Sequence, residues 1–284
     1  RHFRITEYFG FDLVIIPMKD DGPDMDMVEK AVKDPSVKGI WCVPKYSNPT
    51  GVTYSDEVIR RFANLKPAAK DFRIFWDNAY CVHELTDHPT PLLSLWDECK
   101  KAGTLESVFF FASTSKITFP GAGVAAIACG DGNYKELKER YAVQIISPDK
   151  LNLLRHLLFL RNFDGVKAQM QKHRAIIAPK FQATEEILNR ELSGKNIAAW
   201  SNPKGGYFIS VDVMKGCAKR VVALCSEAGV KLTAAGSTYP YGKDPNDSNI
   251  RVAPTFPSVD DLKQAVEVFC IAIQLAAAEK LLAL

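Results

Sequence analysis

Three short stretches of this sequence carry side chains that could do chemistry together. Lys45-Tyr46-Ser47-Asn48-Pro49-Thr50-Gly51 offers an amide, Asp77-Asn78-Ala79-Tyr80 a carboxylate and a phenol, and Ser113-Thr114-Ser115-Lys116 two flanking hydroxyls and an amine. Each has a bland explanation when taken singly. Asn-Pro-Thr-Gly forms turns in any protein, Asp77 could cap the next segment, Tyr80 could be ordinary core, and a lysine closing a strand is usually solvated.

Their placement changes the reading. The apolar runs Asp12 to Met18, Lys38 to Pro44, Arg73 to Ala79, Ser107 to Thr114 and Gly123 to Cys129 are short, rich in Val, Ile and Phe, and bounded by polar residues, Gly or Pro. They read as buried strands. Between them Asp24 to Val32, Ser55 to Lys70 and Pro91 to Ala102 have helical spacing, with Ser55 as an N-cap ahead of Val58, Phe62 and Leu65. Strands alternating with helices predict an α/β fold on a mostly parallel sheet, whose ligands sit beyond the carboxyl ends of the strands. The three stretches follow three successive strands, so one rim should hold them all.

An amide, an acid, a phenol and an amine on one rim match the requirements of pyridoxal phosphate. Its aldehyde needs an uncharged amine, which Lys116 could supply as the Schiff-base lysine. Its ring withdraws electrons only while the pyridine nitrogen is protonated, and the Asp77 carboxylate would favour that proton. Donors from Asn48 and Tyr80 would stabilise the phenolic oxygen, and Ser113 and Ser115 stand close enough in sequence to Lys116 to offer hydroxyls to the phosphate.

The same strings, with Ile117-Thr118-Phe119-Pro120-Gly121 after the lysine, resemble fold-type I pyridoxal-phosphate aminotransferases of classes I and II, and within them a bacterial aspartate-aminotransferase subgroup also described as alanine-glyoxylate-like. The resemblance runs from Arg1 to the last helix. It implies the fold-type I architecture, a homodimer with shared active sites, and transfer of an amino group from an amino acid, with aspartate preferred, to a 2-oxo acid such as 2-oxoglutarate; the scattered cysteines add the expectation of a reducing, cytoplasmic compartment. It also implies a carboxylate-binding arginine opening the final strand, a place filled by Arg251 in Ser248-Asn249-Ile250-Arg251; the alternative there is a structural salt bridge. Two departures stand out. The arginine that relatives carry eight residues after the lysine is Val124 here, and the upstream part of the family's large domain is expected to lie outside this sequence. Rival readings are the effector-sensing domain of a transcription regulator, β-elimination or racemisation on the same scaffold, and a piece with no activity of its own.

From Asn133 the pattern turns helical. Phe163 to Leu192 reads as one long connecting helix kinked at Pro179, followed by strands at Ile197 to Asn202 and Tyr207 to Val213 around Lys204-Gly205-Gly206, a helix at Ala218 to Ala228, a strand at Ile250 to Ala253, and a closing helix from Ser258. The expected division is a cofactor-binding large domain at 1–162 and a connector with a small α+β domain at 163–284. His83, three residues beyond Tyr80, could approach the site but is read as a satisfied loop histidine, and the loop Tyr239 to Gly242 is left without a role. Composition bounds the rest. Of 284 residues, 36 Lys+Arg against 33 Asp+Glu leave a net charge of +3, too little for a nucleic-acid surface. The longest apolar run, Val268 to Ala278, falls short of a membrane helix, and seven scattered cysteines suggest neither a metal site nor disulfides.

Overall fold

The computed structural model describes residues 2–283. The chain opens with helix α1 (His2–Tyr8), the two-residue strands β1 (Met18–Lys19) and β2 (Gly22–Pro23), and helix α2 (Met25–Ala31). An alternating stretch follows: β3 (Gly39–Cys42), α3 (Asp56–Ala63), β4 (Arg73–Asp77), α4 (Leu95–Ala102), β5 (Val108–Ser113) and β6 (Ala125–Cys129). These strands form one sheet in the order β3-β4-β5-β6. The first three run parallel, Ile40 beside Ile74 and Ile74 beside Val108, as the alternation predicts.

Two expectations about this sheet are corrected. β6 is antiparallel to β5, with Ser113 opposite Ala125, because residues 114–124 contain no helix to carry the chain back across the sheet. It is also an exposed edge rather than a buried strand. The run from Asp12 joins no ladder of the described residues before Met18, where β1 pairs antiparallel with β2; Val14 and Ile15 are exposed, and Ile16 alone of the three packs on the core.

Helix ends follow side-chain chemistry. Ser55 Oγ accepts the Val58 N–H, as its N-cap position requires, but α3 stops at Ala63 instead of continuing to Lys70: Asn64 closes it, its Nδ2 donating to Arg60 O at 2.8 Å, and Pro67 follows within a turn. α4 starts at Leu95, not Pro91, where Ser94 caps the Asp97 N–H and frees Leu92 and Leu93 to pack on the core. α2, α3 and α4 bury Val28, Ile59, Phe62 and Cys99 against Cys42, Ile74, Trp76 and Val108 of the sheet. On the opposite face the rings of Trp41, Phe75 and Phe111 gather in a three-membered cluster over β3, β4 and β5, each within 6.1 Å of the other two.

Helices α5 (Asp131–Gln144), α6 (Lys150–Leu160) and α7 (Phe163–Leu192) come next, and α7 remains helical through Pro179. A second sheet, β7 (Ala198–Trp200), β8 (Ile209–Val213) and β9 (Asn249–Val252), is antiparallel throughout. It packs with α7, α8 (Ala218–Glu227) and α9 (Val259–Leu282) around a second core. Leu262, Val266, Phe269 and Ile273 of α9 are all buried there, the face their spacing assigns, each contributing about 1.5–3 kcal/mol of burial free energy. Among the described residues, no helix is long and apolar enough to cross a membrane.

Candidate active site

Because β3, β4 and β5 are adjacent and parallel, the segments leaving their carboxyl ends share one rim. β5 runs into a single turn in which the Ile117 and Thr118 N–H groups both donate to Thr114 O, at 2.9 Å each. Lys116 lies in this turn, half-buried, with Nζ 5.0 Å from the centroid of the Tyr80 ring. No carboxylate lies within ion-pair distance of that ammonium among the described residues.

Asp77 ends β4 beside Phe111 of β5. Burial raises its pKa, opposed by the charge of Lys116 and by nearby N–H groups of Trp41 and Ala79. The indole N–H of Trp41 approaches the carboxyl without reaching hydrogen-bond geometry and is otherwise buried without a partner. Tyr80 is buried, and its phenol is pushed up to about 12, chiefly by that burial, against a lowering effect of Arg251. It therefore stays protonated and able to donate.

Arg251 reaches the same place from the second sheet. It stands on β9 opposite Ser210 of β8 and lies over the Phe208 ring at 4.5 Å. Its Nη1 donates to Asn48 Oδ1 at 3.2 Å and its Nη2 to Thr233 Oγ1 at 3.4 Å, while Nε is buried with no partner. Both acceptors are neutral. No acidic side chain of the described residues pairs with the guanidinium, and burial accordingly pulls its pKa down, opposed by Tyr80. The structural salt bridge considered as an alternative for Arg251 is absent among the described residues. β9 itself is held by Asp244, which accepts the Ser248 and Asn249 N–H groups at 2.7 and 2.8 Å.

Ser113 Oγ donates to Ser115 Oγ at 3.2 Å, so the two hydroxyls expected near a phosphate are neighbours. Gly123 backs directly onto Ser115, where a Cβ would stand 2.9 Å from its Cα. At Val124 the backbone N–H is taken by Thr114 Oγ1 at 2.9 Å, and the side chain has no donor with which to replace an arginine.

Several neighbours escaped sequence reasoning. Lys45 is buried and ion-paired to Glu84 Oε1 at 2.6 Å, and the Tyr46 hydroxyl bonds the other Glu84 oxygen. Tyr46 in turn lies against Gly205, whose missing side chain makes room for the ring, so the glycine pair does more than turn a hairpin. Phe208 and Thr233 flank Arg251. Only the likeness of Gly205-Gly206-Tyr207-Phe208 to a family turn near the substrate hinted at any of them; Lys45 and Glu84 are 39 residues apart, beyond any local spacing rule.

Known proteins share this geometry. The sequence pattern of the family described as Aspartate amino-transferase matches residues 1–283. A relative from Mycolicibacterium smegmatis is 52% identical over 283 residues, covering 99% of this chain and 66% of that protein. The aspartate aminotransferase of Corynebacterium glutamicum is 46% identical over 279 residues, covering 98% of this chain and 65% of that one. The crystal structure of an aspartate transaminase from the same organism superposes with a TM-score of 0.96 at 46% identity, over 98% of this chain and 66% of its own. The chain thus spans about two thirds of the length of the relatives it matches. It belongs to the aspartate aminotransferase family, with the fold-type I architecture of the pyridoxal-phosphate enzymes.

Proposed function

We propose that this chain carries the chemical centre of a pyridoxal-phosphate-dependent aminotransferase that moves an amino group between aspartate and 2-oxoglutarate. One observation carries the reading: two cations, Lys116 and Arg251, stand at Tyr80, both partly withdrawn from water, and neither has an anionic side chain paired to it among the described residues. Unpaired charge out of water is costly, and such sites are kept where a ligand completes them. The residues suit the cofactor the family implies. A desolvated carboxyl at Asp77, an amino group without an acidic partner at Lys116 and a protonated phenol at Tyr80 suit a cationic ring nitrogen, an aldehyde and a phenolic oxygen in turn.

When bound, pyridoxal phosphate supplies an aldehyde that condenses with amines and a ring that accepts the electron pair left at the substrate Cα. Lys116 Nζ takes the Cα proton as general base and returns it as general acid. With the cofactor in place, Asp77 would favour the proton on the ring nitrogen, Tyr80 Oη and Asn48 Nδ2 would donate to the phenolic oxygen, and Ser113 and Ser115 would offer their hydroxyls to the phosphate. Arg251 grips the substrate α-carboxylate through its fork and fixes Cα against the Lys116 amine, with Asn48 keeping the guanidinium in plane. Aspartate as donor rests on the family and on the 46%-identical relative named for it.

The division at residue 162 belongs to the same proposal, supported by the two separate cores, as does a homodimer, supported by the resemblance; a cytoplasmic location is supported by seven unpaired cysteines. Behind the regulator reading stands an HTH-type transcriptional regulator of Bacillus subtilis at 24% identity, far below the 46% of the aspartate aminotransferase relative. Adding pyridoxal phosphate to the protein and to Lys116→Ala tests the proposal. The visible band of cofactor joined to an amine should form in the first and be missing from the second, and aspartate with 2-oxoglutarate should give oxaloacetate without ammonia. An unchanged band in the variant, or ammonia among the products, overturns it.

A further inference from the structure

The main-chain carbonyl of Lys116 has an unusual set of partners. In the turn after β5 it would next be met by the N–H of residue 120, but that residue is Pro120 and has none. No other backbone N–H of the described residues reaches it. A carbonyl partly withdrawn from water and left without a donor is costly, and two side chains from distant segments supply one each. Tyr207 Oη donates at 2.9 Å from just ahead of β8, and His83 Nε2 lies at 3.2 Å from the loop after β4.

The tautomer of His83 follows. A carbonyl oxygen only accepts, so Nε2 carries the proton. Nδ1 is buried with no partner, so a second proton there would be an unpaired donor in the interior, and the ring is neutral. Burial agrees with this, lowering its pKa to about 4. The ring is also fixed sterically. It meets Tyr207 edge-on at 5.1 Å between centroids and Tyr80 at 5.6 Å, and Tyr207 meets Tyr80 at 6.0 Å. The backbone locks the two segments in register: Gly206 N–H donates to His83 O at 2.8 Å and Leu85 N–H to Lys204 O at 2.9 Å, around a bridge between Glu84 and Gly205.

We infer that His83 and Tyr207 are positioning residues for Lys116: together they hold its carbonyl and so fix the root of the side chain that carries the reactive amine. The inference rests on the reading of Lys116 given above. It also gives the glycine pair a purpose, because the close seat of Gly205 on Tyr46 sets the height of the hairpin that brings Tyr207 to the lysine. Tyr207 links the second core directly to the rim of the first, so a displacement of that hairpin is passed to the root of Lys116.

Three variants test this: Tyr207→Phe, which removes only the hydroxyl, His83→Phe, which keeps a ring without a donor, and His83→Gln, which restores an N–H of similar reach. Each protein is incubated with pyridoxal phosphate, reduced with borohydride to fix the cofactor to whichever amine it has joined, and mapped by peptide mass. Deuterium exchange of the peptide 114–121 is measured in parallel without cofactor. Tyr207→Phe and His83→Phe should still label Lys116 but about ten-fold more slowly, with exchange in the turn about ten-fold faster, the scale expected for one hydrogen bond. His83→Gln should fall within about two-fold of the unmodified protein on both measures. Labelling and exchange unchanged in both donor-less variants, or His83→Gln behaving like His83→Phe, overturns the positioning role while leaving Lys116 as the reactive amine. Labelling of the unmodified protein at a different lysine overturns both readings.

Discussion

Lys45 and Lys116 follow two strands of the same parallel sheet and stand on the same rim, yet their surroundings differ in kind. Lys45 is buried, ion-paired to Glu84, and further tied to Cys81 O at 3.4 Å. Lys116 is half-buried, faces an aromatic ring, and has no acidic partner within ion-pair distance among the described residues. The first arrangement spends its charge on holding the loops 45–51 and 80–85 together. The second leaves an amine free while two other side chains fix its backbone. Residue type and strand-end location are the same for both, so the pairing is what separates a structural lysine from a reactive one.

The comparison can be broken in order of expected effect. Lys116→Ala should cost about 10⁴-fold in transamination of aspartate, read as oxaloacetate formed per enzyme, with little change in the urea midpoint, since no ion pair is lost. Arg251→Gln should lower kcat/KM for aspartate by about 10³-fold, because the substrate carboxylate loses its charged fork, while the borohydride-trapped label on Lys116 persists.

A third test uses acidity. His83 is neutral in the fold, with its pKa lowered from 6.5 to about 4 by burial. Below pH 6.5 the unfolded chain binds a proton there that the folded chain refuses, so stability falls as pH drops from about 6.5 to 4, by about 3 kcal/mol in all at this one site. Urea unfolding at the two ends of that window should show a smaller acid loss in His83→Gln than in the unmodified protein. His2, also lowered to about 4 by burial, remains in both and cancels from the difference. The smallest effect is Lys45→Met. It should cost about 2 kcal/mol of stability by orphaning Glu84, less than a fully buried pair because the Glu84 side chain is 24% exposed. The denaturant midpoint measures it, and Lys116 should label as before.

How much of this could be read in advance depends on distance along the chain. The helix from Phe163 to Leu192 and the buried stripe of α9 were legible, because neighbours three and four residues apart share a face whatever surrounds them. So was the common rim of Asn48, Asp77, Tyr80 and Lys116, since strand-helix alternation forces parallel neighbours. The reversal of β6 was obscured by an apolar run indistinguishable from that of a central strand. His83 was taken for a loop histidine, and nothing near it in sequence pointed to a carbonyl 33 residues away.

Local chemistry wrote the types and the order: an amine behind two serine hydroxyls, an acid three residues before a phenol, an amide in a turn, and an arginine within the last strand. Those follow from short-range periodicity and turn propensity, which act within a few residues and need no partner. Only folding decided which charges would be neutralised. Asn48 and Arg251 meet across 203 residues, Tyr207 and Lys116 across 91, and Glu84 goes to Lys45 instead of Lys116. Such pairings are fixed by how the chain brings the loops 45–51, 80–85 and 203–208 together, a sum over many distant contacts that no stretch of the chain contains by itself.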